Sequence, residues 1–316
     1  MEYVNLRETD LEVSRLGFGC CPMGGHGWGK VSKDDFRDAV AAALDHGVNF
    51  FDTADIYGYG ESERSLGQFL AGRRKDAVVA TKGGVRINDQ GETFYDTSPA
   101  WIEKALDESL TRLGTDYIDL YQIHYLDGKT ALSETFETLE KKRKEGKIRF
   151  WGISNVSPDK ISGLSLPKAL VSFQMEYSLA NRSNEKEILR LREEQGLEFL
   201  SWGSLGQGVL TGIYGAETKF ADDDRRSRPI YVNFHGERLQ KNIAMVEQIK
   251  VRFGKSGKTS AQIAIRWILD HLGFGVVLTG IKRPQQLYEN IAAFGWRLTE
   301  QEREFLDELS KPSVFR

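Results

Sequence analysis

The sequence predicts an α/β protein, a (β/α)8 or TIM barrel, as a single domain over residues 1–316. Three observations carry that expectation. Short apolar, β-branched or aromatic runs alternate with longer helical patterns along the chain. Eight such runs can be counted, with no composition break or domain linker between them. Most are near-continuously apolar, as strands buried on both faces should be, which implies parallel pairing through crossover helices.

In order, the strand candidates are RLGFGC (15–20), VNFFDTA (48–54), AVVATK (77–82), YIDLYQIH (117–124), IRFWGIS (148–154), VSFQMEYS (171–178), LEFLSWG (197–203) and FGVVLTG (274–280). Between the first two, KDDFRDAVAAALDHG places Phe36, Val40, Ala43 and Leu44 on one helical face and stops at Gly47. After the third, SPAWIEKALDESLTRLG opens with Ser98 as a cap and Pro99 at the first helical position, and ends on Gly114. ALSETFETLEKKRKEG carries Leu132, Phe136 and Leu139 at helical spacing, with a basic last turn suited to the helix dipole. TSAQIAIRWILDH has Thr259 and Gln262 spaced as a capping box. The polar stretch 212–236 after the seventh strand is long enough to be a cofactor or substrate lid. Within it, DDDRRSR (222–228) reads as a solvated loop, with one of its arginines a candidate to close over a cofactor.

An open doubly wound sheet is the alternative architecture. It would call for a glycine-rich turn leading straight into a helix, and GFGCCPMGG is followed by no immediate helical pattern. GKSGKTS (254–260) is no phosphate loop, because Arg252 stands where the first glycine should be and no strand precedes it.

Composition narrows the function. The 43 basic and 46 acidic residues leave a net charge of −3, no field for nucleic acid. The adjacent Cys20 and Cys21 cannot staple a fold and read as packing residues. No apolar run reaches the ~18 residues of a membrane helix, and MEYVNLRETD lacks the pattern of a signal peptide. The expectation is a soluble, cytoplasmic protein, a monomer or weak homo-oligomer, acting on a small molecule.

In a barrel the C-terminal strand ends gather around one mouth, and chemistry sits there. Those ends carry Asp52, with Tyr57 in the loop beyond, then Lys82, His124, Ser154 with Asn155, Gln174, Trp202 with Gly203, and Gly280 followed by Lys282 and Arg283. Four of these make a chemical unit. A tyrosine is a poor acid near neutrality, and a nearby ammonium lowers its pKa. Lys82 can supply the ammonium, Asp52 can hold it, and His124 can orient a carbonyl oxygen or relay a proton. The product is a proton donor facing a carbonyl, with no metal needed; reduction also requires a hydride, which no side chain supplies and a nicotinamide cofactor can. Asn155 and Gln174 suit a carboxamide, and Trp202 could stack on the ring.

The blocks FFDTADIYGYGESE, VVATKGG, YIDLYQIH, WGISN, SWGSLGQGVLTG and TGIKRPQQLYEN, in this order over almost the whole chain, resemble the signature blocks of the aldo-keto reductases. The resemblance implies that Tyr57 is the acid, with Asp52, Lys82 and His124 as its partners. It implies NADP(H) bound in an extended pose across the barrel mouth, its carboxamide held by Ser154, Asn155 and Gln174. The run GSLGQG, containing Gly203, Ser204, Leu205, Gly206 and Gly208, would lie along the pyrophosphate. The segment from Gly280 would surround the adenosine, with Gln286 and Asn290 at adenine and Lys282 and Arg283 at the 2′-phosphate, which a guanidinium grips well. Trp202 stands where many members have tyrosine, Ser204 replaces a frequent proline, and Tyr125 follows His124 where tryptophan is common. The ending KPSVFR resembles the shorter-tailed, mostly microbial branch, whose substrate pocket would be open and lined by Trp28, Tyr57, His124 and Tyr125. The expected activity is NADPH-dependent reduction of aldehydes or ketones. The rivals are an NADP(H)-binding module like the potassium-channel β subunits, and a sugar or alcohol dehydrogenase running oxidatively.

Overall fold

The computed structural model describes residues 1–311. A hairpin of β1 (Tyr3–Asn5) and β2 (Glu12–Ser14) precedes the first barrel strand. Strands β3 (Leu16–Gly19), β4 (Phe50–Asp52) and β5 (Val78–Gly83) follow, then a second hairpin, β6 (Val85–Ile87) with β7 (Thr93–Tyr95). β8 (Ile118–Ile123), β9 (Ile148–Ser154), β10 (Leu170–Glu176), β11 (Glu198–Trp202) and β12 (Val276–Gly280) complete the set. The eight strands β3, β4, β5, β8, β9, β10, β11 and β12 pair in parallel and close on themselves, so all eight predicted strands are present in a (β/α)8 barrel.

The helices outside are α1 (Lys33–Asp45), α2 (Glu61–Phe69), α3 (Pro99–Leu113), α4 (Leu132–Lys144), α5 (Glu185–Gln195), α6 (Gly236–Phe253), α7 (Ser260–Leu272), α8 (Pro284–Ile291) and α9 (Glu300–Ser310). The caps read from sequence are in place. Ser98 accepts from the Trp101 N–H, Gly114 is left-handed, and Thr259 and Gln262 close a reciprocal capping box. One crossover departs from the alternation. Between β9 and β10 the chain makes only a single 3-10 turn, Pro158–Lys160. Pro158, Gly163 and Pro167 in that stretch deny a continuous helix.

Successive strand residues face opposite ways. Phe51, Val79, Tyr121 and Val277 pack outward against the helices, in the larger apolar core. Phe50, Val78, Ala80, Leu120, Leu200, Val276 and Leu278 point inward and fill the lower barrel. Leu6, Leu11 and Val13 from the first hairpin belong to this inner cluster, so the hairpin stoppers the N-terminal end. Glu2 ties it in place through Arg266 at 2.6 Å and Arg15 at 3.4 Å. Access to the interior is thereby confined to the opposite mouth.

Candidate active site

Two steps further along the inward faces, the apolar filling gives way to a polar layer. Asp52 is the last residue of β4, and Lys82 lies two positions beyond its register partner Ala80, so the lysine reaches back across the pair. The Lys82 ammonium donates to Asp52 Oδ1 at 2.6 Å and to the Thr53 carbonyl at 2.8 Å, and the lysine is fully buried. The other Asp52 oxygen accepts from Gln174 Nε2 at 2.9 Å and from Gln122 Nε2 at 3.1 Å. Both carboxylate oxygens are therefore satisfied, which a buried ion pair needs if it is not to be strongly unfavourable.

Tyr57 lies over this layer. Its ring centroid is 5.1 Å from Lys82 Nζ, and the His124 ring stands edge-on to it at 6.0 Å. The four residues that the sequence puts together are thus together in space. One expectation reverses. Lys82 does not bring the Tyr57 hydroxyl below the usual tyrosine value. Enclosure by protein pushes its pKa well above the usual tyrosine value, and the Cys21 thiol and the Asp52 carboxylate push the same way. The ammonium's charge is spent on Asp52 and the Thr53 carbonyl, beneath the ring face. Tyr57 is therefore held as a protonated phenol. His124 shifts the other way: burial and then the Lys82 charge hold it well below the ordinary histidine range, so it is a neutral imidazole. Its Nδ1 is buried without a hydrogen-bond partner. The ring stacks on Tyr125 at 5.1 Å, and Tyr125 on Tyr95 of β7 at 4.8 Å, so the second hairpin walls one side of the mouth.

Beside this layer, Asn155 sits in a left-handed conformation with φ 56°. Its Nδ2 donates to the His124 carbonyl and Ser154 Oγ, and its Oδ1 accepts from the Trp202 indole at 3.0 Å. Trp202 is thus tied by its indole N–H to Asn155. Gln174 faces inward beside Ser154, its register partner, but its amide nitrogen is given to Asp52. Around the corner, Gly203, Gly206, Gln207 and Gly208 all have positive φ, so the backbone of the predicted pyrophosphate run turns sharply. Ser204 is buried on the Ser201 carbonyl, and Leu205 closes the turn by accepting from Gly208 N. On the β12 side, Gln286 accepts from the Lys282 backbone N–H at 2.8 Å, and Asn290 donates to Thr279 Oγ1 at 3.0 Å. Arg283 is exposed at the N-terminus of α8, and the Lys282 ammonium donates to the Trp28 carbonyl.

The run 222–228 is not wholly a solvated loop. Asp224 and Arg226 are buried and paired at 2.6 Å. The Arg226 guanidinium lies against the rings of Phe220, Tyr214 and Phe234, at 4.4, 5.3 and 5.8 Å. Arg225 N donates to Gly27 O at 2.9 Å, so the segment is strapped to the Trp28 loop across the mouth. Sequence reasoning also missed Gln122. A glutamine inside an apolar strand, two residues before His124 and on the same face, was the available signal.

Asp55, between Asp52 and Tyr57, has an orphaned buried Oδ1. Burial, reinforced by the Glu63 carboxylate, raises it to about 8. The folded protein then binds a proton that the unfolded chain has released, so stability falls as pH rises from about 4 to about 8. We expect Asp55→Asn to abolish this loss: its melting temperature exceeds the parent's at pH 9 but not at pH 4. An equal shift at both pH values would refute the protonated Asp55.

A closed barrel with Asp52, Lys82 and His124 buried and Tyr57 half-buried at its C-terminal mouth defines the class, a (β/α)8-barrel protein with a site suited to proton transfer. The aldo/keto reductase family profile matches residues 15–311, and the chain belongs to that family. It is similar to the structure of the glycerol dehydrogenase AKR11B4 from Gluconobacter oxydans, with TM-score 0.88 and 35% identity over 97% of this chain and 94% of that one. It is 33% identical to the aldo-keto reductase yakc [NADP(+)] of Schizosaccharomyces pombe, over 91% of this chain and 86% of the relative. It is 31% identical to the NADH-specific methylglyoxal reductase of Escherichia coli, over 98% and 99%. Among the described residues, no helix is long and apolar enough to cross a membrane.

Proposed function

We propose that the protein reduces aldehyde or ketone carbonyls to alcohols with a nicotinamide dinucleotide, NADPH in preference to NADH. The observation that carries this reading is the protonated, enclosed Tyr57 phenol over the Lys82–Asp52 pair, with a neutral imidazole at its edge. The residues present fit the cofactor. Ser154 brings a hydroxyl to one side of the mouth, beside Gln174, whose amide nitrogen is held by Asp52, and Asn155, whose amide is bonded to the His124 carbonyl and the Trp202 indole. The 203–208 turn exposes backbone of the kind that approaches phosphates closely. Two cations, Lys282 and Arg283, stand at the start of α8, where an anion is favoured.

When bound, the reduced nicotinamide supplies the hydride. Tyr57 holds the proton that the developing alkoxide takes up at its oxygen. His124, uncharged, can hydrogen-bond the carbonyl oxygen and fix its direction toward Tyr57. Lys82 and Asp52 form a compensated ion pair that fixes the layer over which the Tyr57 ring lies. Gln122 and Gln174 keep Asp52 from rotating away from Lys82. The Tyr125–Tyr95 stack and the 212–236 segment limit water at the reacting oxygen.

Steady-state oxidation of NADPH and NADH against a panel of short aldehydes and ketones tests the proposal. We expect turnover with several aldehydes and a higher kcat/KM with NADPH. Tight NADPH binding without turnover on any carbonyl would sink the enzymatic reading. Equal use of both cofactors would remove the 2′-phosphate role from Lys282 and Arg283.

A further inference from the structure

One cation at the barrel mouth takes no part in the chemistry above. Arg225 stands between Asp224 and Arg226, which pair with each other. The Arg225 stem crosses Gly27, where φ is 75° and a Cβ would collide with it. Arg225 Nε is buried without a hydrogen-bond partner, and no carboxylate among the described residues forms an ion pair with the side chain. Burial pushes the Tyr231 phenol up, and the Arg225 charge opposes that shift. The Trp28 indole Nε1 is likewise buried without a partner, and its ring meets Tyr231 edge-on at 5.9 Å. These donors border the reaction centre. The backbone of Gly24, in the same loop as Trp28, packs directly against that of Tyr57 and Gly58.

A partly desolvated guanidinium with an idle N–H, beside a second idle N–H, is unfavourable unless something anionic completes it. We propose that Arg225, Trp28 and Tyr231 form an anion subsite of the substrate pocket. The preferred substrate is then an aldehyde or ketone carrying a carboxylate or phosphate a few atoms from its carbonyl. A guanidinium fork suits either group. The proposal rests on the reductase reading above and adds the substrate class.

The test compares the full-length parent with Arg225→Leu and Arg225→Lys on matched pairs. Butanal is set against succinic semialdehyde, and glyceraldehyde against glyceraldehyde 3-phosphate. NADPH affinity is measured separately by fluorescence titration. In the parent we expect a lower KM for the anionic member of at least one pair, and the pair that responds tells carboxylate from phosphate. Arg225→Leu should lower the anionic-to-neutral ratio of kcat/KM about 10- to 100-fold, mainly through KM, as loss of a charged hydrogen bond predicts. Arg225→Lys should recover part of it. An unchanged ratio in Arg225→Leu would overturn the subsite. So would a loss of NADPH affinity that lowers kcat/KM equally for both members, which would assign Arg225 to the cofactor's phosphates. If the parent reduces neither member of either pair, the reductase reading fails first and this inference with it.

Discussion

Tyr57→Phe is expected to lower kcat for aldehyde reduction about 10²- to 10⁴-fold, the usual worth of a positioned general acid. The change removes one oxygen and keeps the ring that lies over Lys82 and beside His124, so packing and NADPH binding should persist. A loss in kcat with an unchanged NADPH dissociation constant would be the signature. The pH profile of the parent provides a second check. A general acid works below its own pKa, and Tyr57 is pushed well above 10.0, while His124 is pushed well below 6.5. Neither group changes charge between about pH 7 and 9, so kcat for reduction should be flat there. Oxidation of an alcohol, which needs the phenolate as proton acceptor, should instead rise with pH. Parent-like turnover in Tyr57→Phe would remove Tyr57 from the mechanism.

Lys82→Met should be the most damaging single change to the fold as well as to the rate. It leaves the Asp52 carboxylate buried at 4% exposure with only the two glutamine amides for partners. Breaking a buried pair in this way costs about 3–5 kcal/mol, because the remaining charge is uncompensated. It also frees the Thr53 carbonyl, the first link toward the loop that bears Tyr57. The double variant Lys82→Met/Asp52→Asn carries no orphaned charge and should regain much of the stability but none of the turnover. Denaturant melts and kcat on the three variants separate these effects. If the double variant were as unstable as Lys82→Met, burial of an unpaired carboxylate would not be the cause.

The barrel was legible because its eight strands are short, apolar and punctuated, and Asp52, Lys82 and His124 interrupt that apolarity at strand ends. Three kinds of feature were not legible. The strands of both hairpins are three residues long, too few for any periodicity to register. Asp224 and Arg226 look solvated in a run of charges, yet Tyr214, Phe220 and Phe234 fold around the guanidinium from both sides in sequence. Composition cannot register such long-range contact. The third is the sign of the Tyr57 shift. Adjacency to an ammonium argues for a lowered pKa, but the dielectric enclosure that overrules it exists only once the mouth has assembled.

The stopper hairpin bears on the order of events during synthesis. Residues 3–14 leave the ribosome early, but their apolar side chains share one buried cluster with Val276 and Leu278, and Arg15 O receives the Val277 N–H. The seat for the plug does not exist until the eighth strand has been made. Until then Leu6, Leu11 and Val13 stay wet, and no vectorial intermediate lacking β12 can hold them as the finished barrel does. Removing the plug's three side chains should accordingly weaken the completed barrel far more than any partial one.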